Sequence, residues 1–173
     1  ERLNRDKHTQ AFPELSIKRC LDIAGLTYSD IDHIAVSIKP TTNWSNKLGF
    51  LLKRPKLFMP FFGHHVVNAY AKQRRFKIWY GKIFNNTKGP EVHFIKHHLT
   101  HVAGSFFVSP YEKAALLGID GSGEWATSWL GYGDGNTIEQ YSESFFPHSL
   151  GSFYETVTQF CGFKPNYDEG KTM

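Results

Sequence analysis

Residues 113–124 read KAALLGIDGSGE, an apolar run followed by an acid and two glycines. The apolar part, 113–119, predicts a buried strand. Asp120 then leads into a turn over 120–124, where glycine permits a tight bend and lets a ligand approach backbone N–H groups closely. The pattern D-G-x-G also marks calcium loops and plain hairpins, so on its own it does not establish a phosphate site.

The residues after this turn predict a hairpin and then a helix. Segments 125–132 and 137–146 alternate in polarity around Gly-Asp-Gly-Asn at 133–136, which is a hairpin signal. Residues 149–163 are amphipathic, and Ser149 is a suitable N-cap for the helix. The predicted apolar side of this helix comprises Leu150, Phe153, Tyr154, Val157 and Phe160.

The residues before 113 alternate between helical and strand patterns. The predicted elements are a helix from Phe12-Pro13 to Gly25, a strand over 33–38, helical character over 64–80, a strand over 91–95 and a helix over 98–108. Residues 41–63 interleave aromatic and basic residues with prolines and read as irregular. A flap over a site, a membrane-touching surface and an ordinary packed insertion all fit that composition.

This order of elements predicts an α/β protein with a mixed sheet and flanking helices. Parallel strands beside an antiparallel hairpin are typical of the ribonuclease-H-like plan of the actin and sugar-kinase superfamily. We therefore expect residues 1–110 to be the remainder of a first lobe, with a basic aromatic insertion at about 41–90. Residues 111–173 would start a second lobe with a strand, a hairpin and a helix, and both termini look truncated.

Two histidines lie one helix ahead of Asp120. His97 and His101 are four residues apart and therefore share one face of a helix, where two imidazoles can hold one metal ion. Asp120 follows His101 by 19 residues, one helix and one strand later, and so could return to supply a third ligand. The chain has nine histidines, so a chance pair at this spacing is the competing interpretation.

The other histidines carry less information. His98 points about 100° away from the pair on a helix and could support the site, contact a substrate or be exposed. His64, His65 and His93 have no carboxylate at metal spacing, and we interpret them as structural or exposed. No Ser-His-Asp or Cys-His arrangement stands out, so no covalent nucleophile is predicted and no catalytic residue is assigned.

Charge is segregated along the chain. Residues 33–90 contain eleven Lys or Arg and no acid, whereas 91–173 contain ten acids and four bases. A basic segment of this kind favours an anionic partner, namely nucleic acid, phosphate groups or a membrane surface. The competing interpretation is an acidic surface elsewhere in the protein that covers it.

The cysteines indicate a reducing compartment, and the hydropathy indicates that no segment spans a membrane. Cys20 and Cys161 are far apart in apolar helical patterns, and we expect buried free thiols. The chain contains no run of about eighteen apolar residues, the length that a membrane helix needs. We therefore expect a cytoplasmic protein without a membrane span.

Five blocks of sequence, in order, match the signature of one enzyme family. They are ERLNRDKH at 1–8 with Phe12-Pro13, KHHLTHVAGSFF at 96–107, IDGSGEWAT at 119–127, FPHSLGSFY at 146–154 and EGKTM at 169–173. They resemble the blocks E-R-x-x-R-x-K-H…F-P, H-H-x-x-H-A-A-S-A-F, D-G-x-G-E-x-x-T, F-P-x-S-L-G-x-x-Y and E-x-K-x-M of the O-carbamoyltransferases of nodulation and antibiotic biosynthesis. The chain departs from them at Thr100, Val102 and Gly104, where Ala or Ser is usual.

The resemblance implies an activity in two steps. A YrdC-like domain, expected in the same full-length chain, makes carbamoyl-adenylate from carbamoyl phosphate and ATP. The region seen here is similar to the threonylcarbamoyl-transferring enzymes of tRNA modification and would pass the carbamoyl group to an acceptor hydroxyl. The hairpin that should precede Glu1 is absent, so this chain alone is expected to be inactive.

The resemblance also implies roles for individual residues. His97, His101 and Asp120 would bind a divalent metal, expected to be iron, with a further Asp ligand beyond Met173. The residues implied near the adenylate are Gly121, Ser122, Gly123, Glu124 and Lys171. Two alternatives stay open: an ATP-dependent kinase or hydrolase of the same superfold, and a basic membrane- or nucleic-acid-binding module based on 33–90. The sequence does not identify the acceptor.

Overall fold

Two small β-sheets organise the chain in a computed structural model that describes residues 3–5, 11–39, 41–57, 67–85 and 89–173. The strands are β1 His33–Val36, β2 Glu91–Phe94, β3 Lys113–Gly123, β4 Ala126–Asp134 and β5 Thr137–Phe145. The helices are α1 Glu14–Ala24, α2 Trp44–Lys53, α3 Asn68–Ile83, α4 His97–Phe106, α5 Leu150–Phe160 and α6 Glu169–Thr172, with 3-10 turns at Tyr28–Asp30 and Pro55–Leu57. The predicted mixed α/β class is confirmed, whereas the ribonuclease-H-like plan and the division into lobes stay predictions.

The first sheet consists of β1 and β2, which run parallel with His33 opposite Glu91. Parallel neighbours need a long crossover, and here it contains α2 and α3. A buried aromatic cluster on and just after α3 is formed by Phe76, Trp79 and Phe84, and partly buried side chains of α1, β1 and β2 pack on it. This cluster joins the helices of the N-terminal part to the two-stranded sheet.

The second sheet is the antiparallel meander β3-β4-β5. Helix α4 lies on it, and Val102, Phe106, Leu116 and Trp129 form the core between them. The helix comes close because Gly133 has no side chain: a Cβ atom there would stand 2.6 Å from the Phe106 ring. Gly133 on β4 and Gly118 on β3, where a Cβ atom would stand 3.3 Å from Val102, therefore let α4 with its three histidines lie close to the sheet.

Most element predictions are confirmed within one turn, and 41–63 is a correction. Residues 44–53 form helix α2 rather than irregular chain. Its partly or fully buried side chains, Lys47, Phe50 and Leu51, follow the i, i+3, i+4 spacing of a helix. Lys47 occupies one of those positions. Because a buried face is not expected to carry a charged residue, the sequence did not reveal the amphipathic pattern of this helix. Residues 58–66 lie outside the described part of the chain, so the predictions for His64 and His65 are not addressed there.

The predicted turn over 120–124 is a second correction. Strand β3 continues to Gly123, so Asp120 lies within a strand, and the chain reverses at Glu124 and Trp125. Both residues have positive φ, 57° and 95°, which is what a two-residue hairpin turn of the primed type requires. The pairing with β4 is irregular between Ile119 and Gly123. The residues around Asp120 are therefore not in regular register with β4.

The apolar face predicted for the last helix is the third correction. In α5, Phe153 and Phe160 are 66% and 90% exposed, and Leu150 is also exposed. The side towards β3 carries Gly151 instead: a Cβ atom at 151 would stand 2.7 Å from the Gly121 Cα atom. The approach there is too close for a large side chain. Of the predicted face, Tyr154 and Val157 are half-buried. Cys20 and Cys161 are free as predicted but exposed rather than buried.

Candidate metal centre

His97, His101 and Asp120 come together where the first turns of α4 cross β3. His97 Nε2 lies 3.0 Å from Asp120 Oδ2, and His101 Nε2 lies 3.0 Å from His97 Nε2. The third separation, from His101 Nε2 to Asp120 Oδ2, is 4.0 Å. The structure thus gathers the three side chains singled out in the sequence, with all three donor atoms within 4.8 Å of one another.

The backbone around the site explains why His97 reaches Asp120. Strand β2 ends at Phe94 and α4 begins at His97, so the imidazole projects from the first residue of the helix. Opposite it, a Cβ atom on residue 123 would stand 2.8 Å from His97 Cγ. Glycine at 123 is therefore what allows the ring to lie against β3.

Asp120 and His97 form a coupled pair. The hydrogen bond with His97 lowers the pKa of Asp120 to about 2, burial opposes that shift, and the Gly121 N–H assists it from 2.6 Å. The same hydrogen bond raises the pKa of His97, against burial and with help from a hydrogen bond to the backbone of Ser37. The hydrogen bond between the two side chains holds the His97 ring against Asp120.

His98 has a different environment from its neighbours. It is only 2% exposed and packs beside Gly118. Of the three roles that the sequence allowed for His98, that of an exposed side chain is therefore excluded. Burial lowers the pKa of His98, and its Nε2 atom has no hydrogen-bond partner among the described residues. This imidazole is a neutral core group beneath the helix.

Glu124 connects three segments around the site. Its carboxylate accepts hydrogen bonds from the Lys39 N–H, from the Thr42 hydroxyl at 3.3 Å and from the His97 N–H at 3.4 Å. A negative charge at the first turn of α4 also complements the helix dipole. The family resemblance implies a place near the adenylate for Glu124; in the structure its carboxylate links the chain after β1 to the helix that carries the histidines.

Lys47, one of the basic residues interleaved with aromatic ones over 41–63, has a buried side chain near Glu124. It is 5% exposed, and its Nζ donates to the Thr42 carbonyl at 2.9 Å. Burial lowers the pKa of Lys47, while the charge of Glu124 opposes that shift. Its position in the inward i, i+3, i+4 set of α2 was the available sequence signal, but a Lys at such a position is usually solvated.

Only one of the residues expected near the adenylate, Gly121, lines the cavity beside Asp120. Gly121 lines an open cavity of about 490 Å³ together with Asp120, Gly151 and Glu155. Gly123 packs on His97, Ser122 is exposed, and Lys171 pairs with Asp168 at 2.8 Å. Ser149 caps α5 as predicted, since its Oγ accepts from the Ser152 N–H at 3.0 Å.

The basic segment has an exposed face on α3. Lys72, Arg74, Arg75 and Lys77 are exposed there, on turns whose inner side carries Phe76 and Trp79. An anionic or membrane partner for this face stays a prediction. Among the helices that the structure describes, none has both the length and the apolar character needed to cross a bilayer.

Comparison with known proteins identifies the family. The whole chain, residues 1–173, matches the family described as "Carbamoyltransferase N-terminus". It is 30% identical over 176 residues to "Nodulation protein NolNO" of Sinorhizobium fredii, covering all of this chain and 24% of that protein. It is 35% identical over 183 residues to "Uncharacterized protein sll1178" of Synechocystis sp., again covering all of this chain and 29% of that protein.

The chain therefore spans less than a third of the length of these relatives. A shorter match, 33% identical over 81 residues, joins 46% of the chain to 14% of "Nodulation protein NolO" of Bradyrhizobium diazoefficiens. The resemblance drawn from the five sequence blocks is confirmed by these matches, and the chain belongs to the carbamoyltransferase family, in its N-terminal region.

Proposed function

We propose that the full-length protein is an O-carbamoyltransferase and that this chain supplies the metal-binding part of its transfer site. The carbamoyl group would come from carbamoyl-adenylate, made from carbamoyl phosphate and ATP by a YrdC-like domain, and would go to an acceptor hydroxyl. The observation that carries the proposal is the convergence of His97, His101 and Asp120 on one point. Family membership supports the reaction class.

The donor set fits a divalent transition metal. Two imidazole nitrogens and one carboxylate oxygen are the ligands of metal sites that keep open positions, including non-haem Fe(II) sites. Two donors about 2.1 Å from an ion and at right angles are about 3.0 Å apart, as are the His97–Asp120 and His97–His101 pairs. His101 and Asp120, at 4.0 Å, would need to approach by about 1 Å to complete this geometry.

The residues of this chain would hold that site in place. The Gly121 N–H fixes one oxygen of Asp120, leaving the other for the ion. The Ser37 backbone and Glu124 orient the ring and the backbone of His97, in the manner of groups that fix a metal-bound imidazole. When bound, the metal would act as a Lewis acid that stabilises negative charge on the carbamoyl carbonyl oxygen.

The cavity beside Asp120 gives space for a substrate. Gly121 and Gly151 leave part of its wall without side chains, and the polar side chains that line it include Asp120, Glu155 and Asn166. Of the residues implied near the adenylate, Ser122 and Lys171 have exposed side chains. We assign the adenylate contacts to these two, since the Gly121 N–H is already used by Asp120 and Gly123 is packed against His97.

Metal analysis of the full-length protein tests the proposal. Wild type, His97→Ala, His101→Ala and Asp120→Asn would be compared for bound metal and for loss of the carbamoyl group from carbamoyl-adenylate in the presence of hydroxyl acceptors. We expect each substitution to remove the metal and abolish transfer, whereas the exposed His148, substituted by Ala as a control, should leave both unchanged. Unaltered metal content together with unaltered transfer in the three site variants would reject the assignment.

The alternatives from the sequence have less support. Membership of the carbamoyltransferase family disfavours a kinase or hydrolase. The basic face of α3 is compatible with an anionic or membrane-bound acceptor, and a role as such a contact can accompany transfer. Binding of the full-length protein to anionic vesicles that falls steeply with salt would support it.

A further inference from the structure

A second group of metal-type donors lies at the start of the first sheet, formed by His33, Glu91 and His93. The parallel register places His33 opposite Glu91, and residues 91 and 93 share one face of β2 because side chains alternate along a strand. The sequence prediction that His93 has no carboxylate at metal spacing is therefore wrong. The carboxylate of Glu91 comes from the same strand, two residues before His93, and the pairing with β1 brings in the second imidazole, 60 residues earlier in the chain.

The distances suit a shared cation. His33 Nδ1 lies 3.1 Å from His93 Nε2, and the two nitrogens are 3.7 Å and 4.0 Å from the nearest Glu91 oxygens. Ligands at about 2.05 Å in a tetrahedral zinc site are about 3.3 Å apart. The imidazoles thus have nearly the required separation already, and a small rotation of the exposed Glu91 side chain would bring an oxygen to the same distance.

The site is open to solvent. The side chains of His33, His93 and Glu91 are 64%, 42% and 69% exposed, so an ion can enter without opening the fold and water can fill a remaining coordination position. The competing explanation for the cluster is a hydrogen bond between two imidazoles with a nearby carboxylate. A metal ion would replace the proton of that hydrogen bond, so metal binding distinguishes the two.

We propose that His33 Nδ1, His93 Nε2 and a Glu91 oxygen form a second transition-metal site, of the type that binds Zn²⁺. Two nitrogen donors favour Zn²⁺ and related ions over Mg²⁺ and Ca²⁺, which prefer all-oxygen sites. The bound ion links β1 to β2, and the pairing between these two strands extends over only four residue pairs. It therefore stabilises the sheet rather than catalysing a reaction.

This site is separate from the centre at His97. Glu91 is the first residue of β2, whereas His97 follows the last residue of that strand, Phe94. Three residue steps along a strand cover about 10 Å, so Glu91 lies about that far from the end of β2 that leads to His97. His93 lies four residues before His97, and the two groups share no donor residue. Success or failure at one site therefore leaves the other proposal intact.

Zinc titration of the metal-free full-length protein tests the proposal, with Zn²⁺ alone as the probe. We expect the double variant His33→Ala/His93→Ala to bind one equivalent of Zn²⁺ fewer than wild type and to lose part of the rise in Tm that Zn²⁺ produces. Glu91→Gln should weaken this site at least about tenfold. The control His148→Ala should retain the wild-type stoichiometry, and Mg²⁺ should not compete.

A complementary titration uses the His97→Ala/His101→Ala background. There the second site should still bind Zn²⁺, and adding His33→Ala should remove that equivalent. The three side chains are exposed, so circular dichroism should show an unchanged fold in each variant. Equal zinc stoichiometry with and without His33 and His93, in the otherwise wild-type protein, would overturn the proposal.

Discussion

The imidazole of His97 lies directly against the backbone of Gly123, with no room between them for a methyl group. Gly123→Ala should therefore push His97 away from Asp120 and cost about 1–3 kcal/mol of stability, as overpacking does. Metal content and urea unfolding of the full-length protein measure the two effects. Gly104→Ala is the matched control: it lies in α4 with open space around it and should be neutral or slightly stabilising. Retention of full metal content in Gly123→Ala would contradict this role of the glycine.

The His97–Asp120 pair should make the stability of the metal-free protein depend on pH. The lowered pKa of Asp120, about 2, means that its stabilisation is present above about pH 4 and disappears as the pH falls towards 2. The raised pKa of His97 means that its stabilisation is present below about pH 6.5 and disappears as the pH rises through the raised value. The pair therefore stabilises most between about pH 4 and 6.5.

Asp120→Asn tests this window. The side chain of Asp120 is 35% exposed, so after allowance for solvent screening we expect the variant to lose about 1 kcal/mol near pH 5.5. The loss should be smaller at pH 2.5 and at pH 9. Urea unfolding in the presence of a chelator measures these differences, and a loss that is the same at every pH would show that the pair is not coupled in this way.

Replacing the adjacent residues His97 and His98 by Ala should affect different properties, metal binding for His97 and stability for His98. His98→Ala removes a buried ring and should cost about 2–4 kcal/mol of stability by leaving a cavity, while metal stoichiometry stays unchanged. His97→Ala should remove the metal with a smaller effect on the stability of the metal-free protein. Because burial lowers the pKa of His98, wild type should also lose stability as the pH falls below about 6.5 through that lowered value. Chemical unfolding and metal analysis of both variants check the contrast.

Glu124 should act on the metal centre without being a ligand. Glu124→Ala leaves the N–H groups of Lys39 and His97 without their acceptor and should cost about 1–3 kcal/mol, with weaker metal binding. Glu124→Gln keeps one acceptor oxygen and should recover part of both. The exposed Glu139, substituted by Ala, is the control and should behave as wild type. Unchanged metal affinity in Glu124→Ala would show that His97 holds its position independently.

Sequence reasoning singled out the three residues of the candidate metal centre because their signals are local. The i, i+4 spacing of His97 and His101 fixes their common face as soon as a helix forms, and Asp120 is marked by the apolar run before it. The cluster of His33, Glu91 and His93 has such a signal only for Glu91 and His93, which alternate onto one face of a strand. It depends on the register between two strands separated by a long crossover, and spacing within one segment does not encode that register.

Burial was harder to predict than secondary structure. The amphipathic pattern of α5 identified a helix, but Gly151 makes the close contact with Gly121, and Leu150, Phe153 and Phe160 stay exposed. In α2 a polar residue is buried instead: Lys47 occupies an inward position, and because of its charge the sequence pattern did not indicate a helix. In both cases the partner surface decides which face is buried, and that surface is not contained in the local pattern.

The outward aromatic rings of α5 have a practical consequence for work with this polypeptide. Phe153 and Phe160 are two helical turns apart and face water on the same side of the helix. Contiguous exposed apolar surface marks places where a polypeptide meets another surface or aggregates. For a 173-residue product handled alone, replacing Phe160 by a hydrophilic residue is therefore the first modification to try for better solubility.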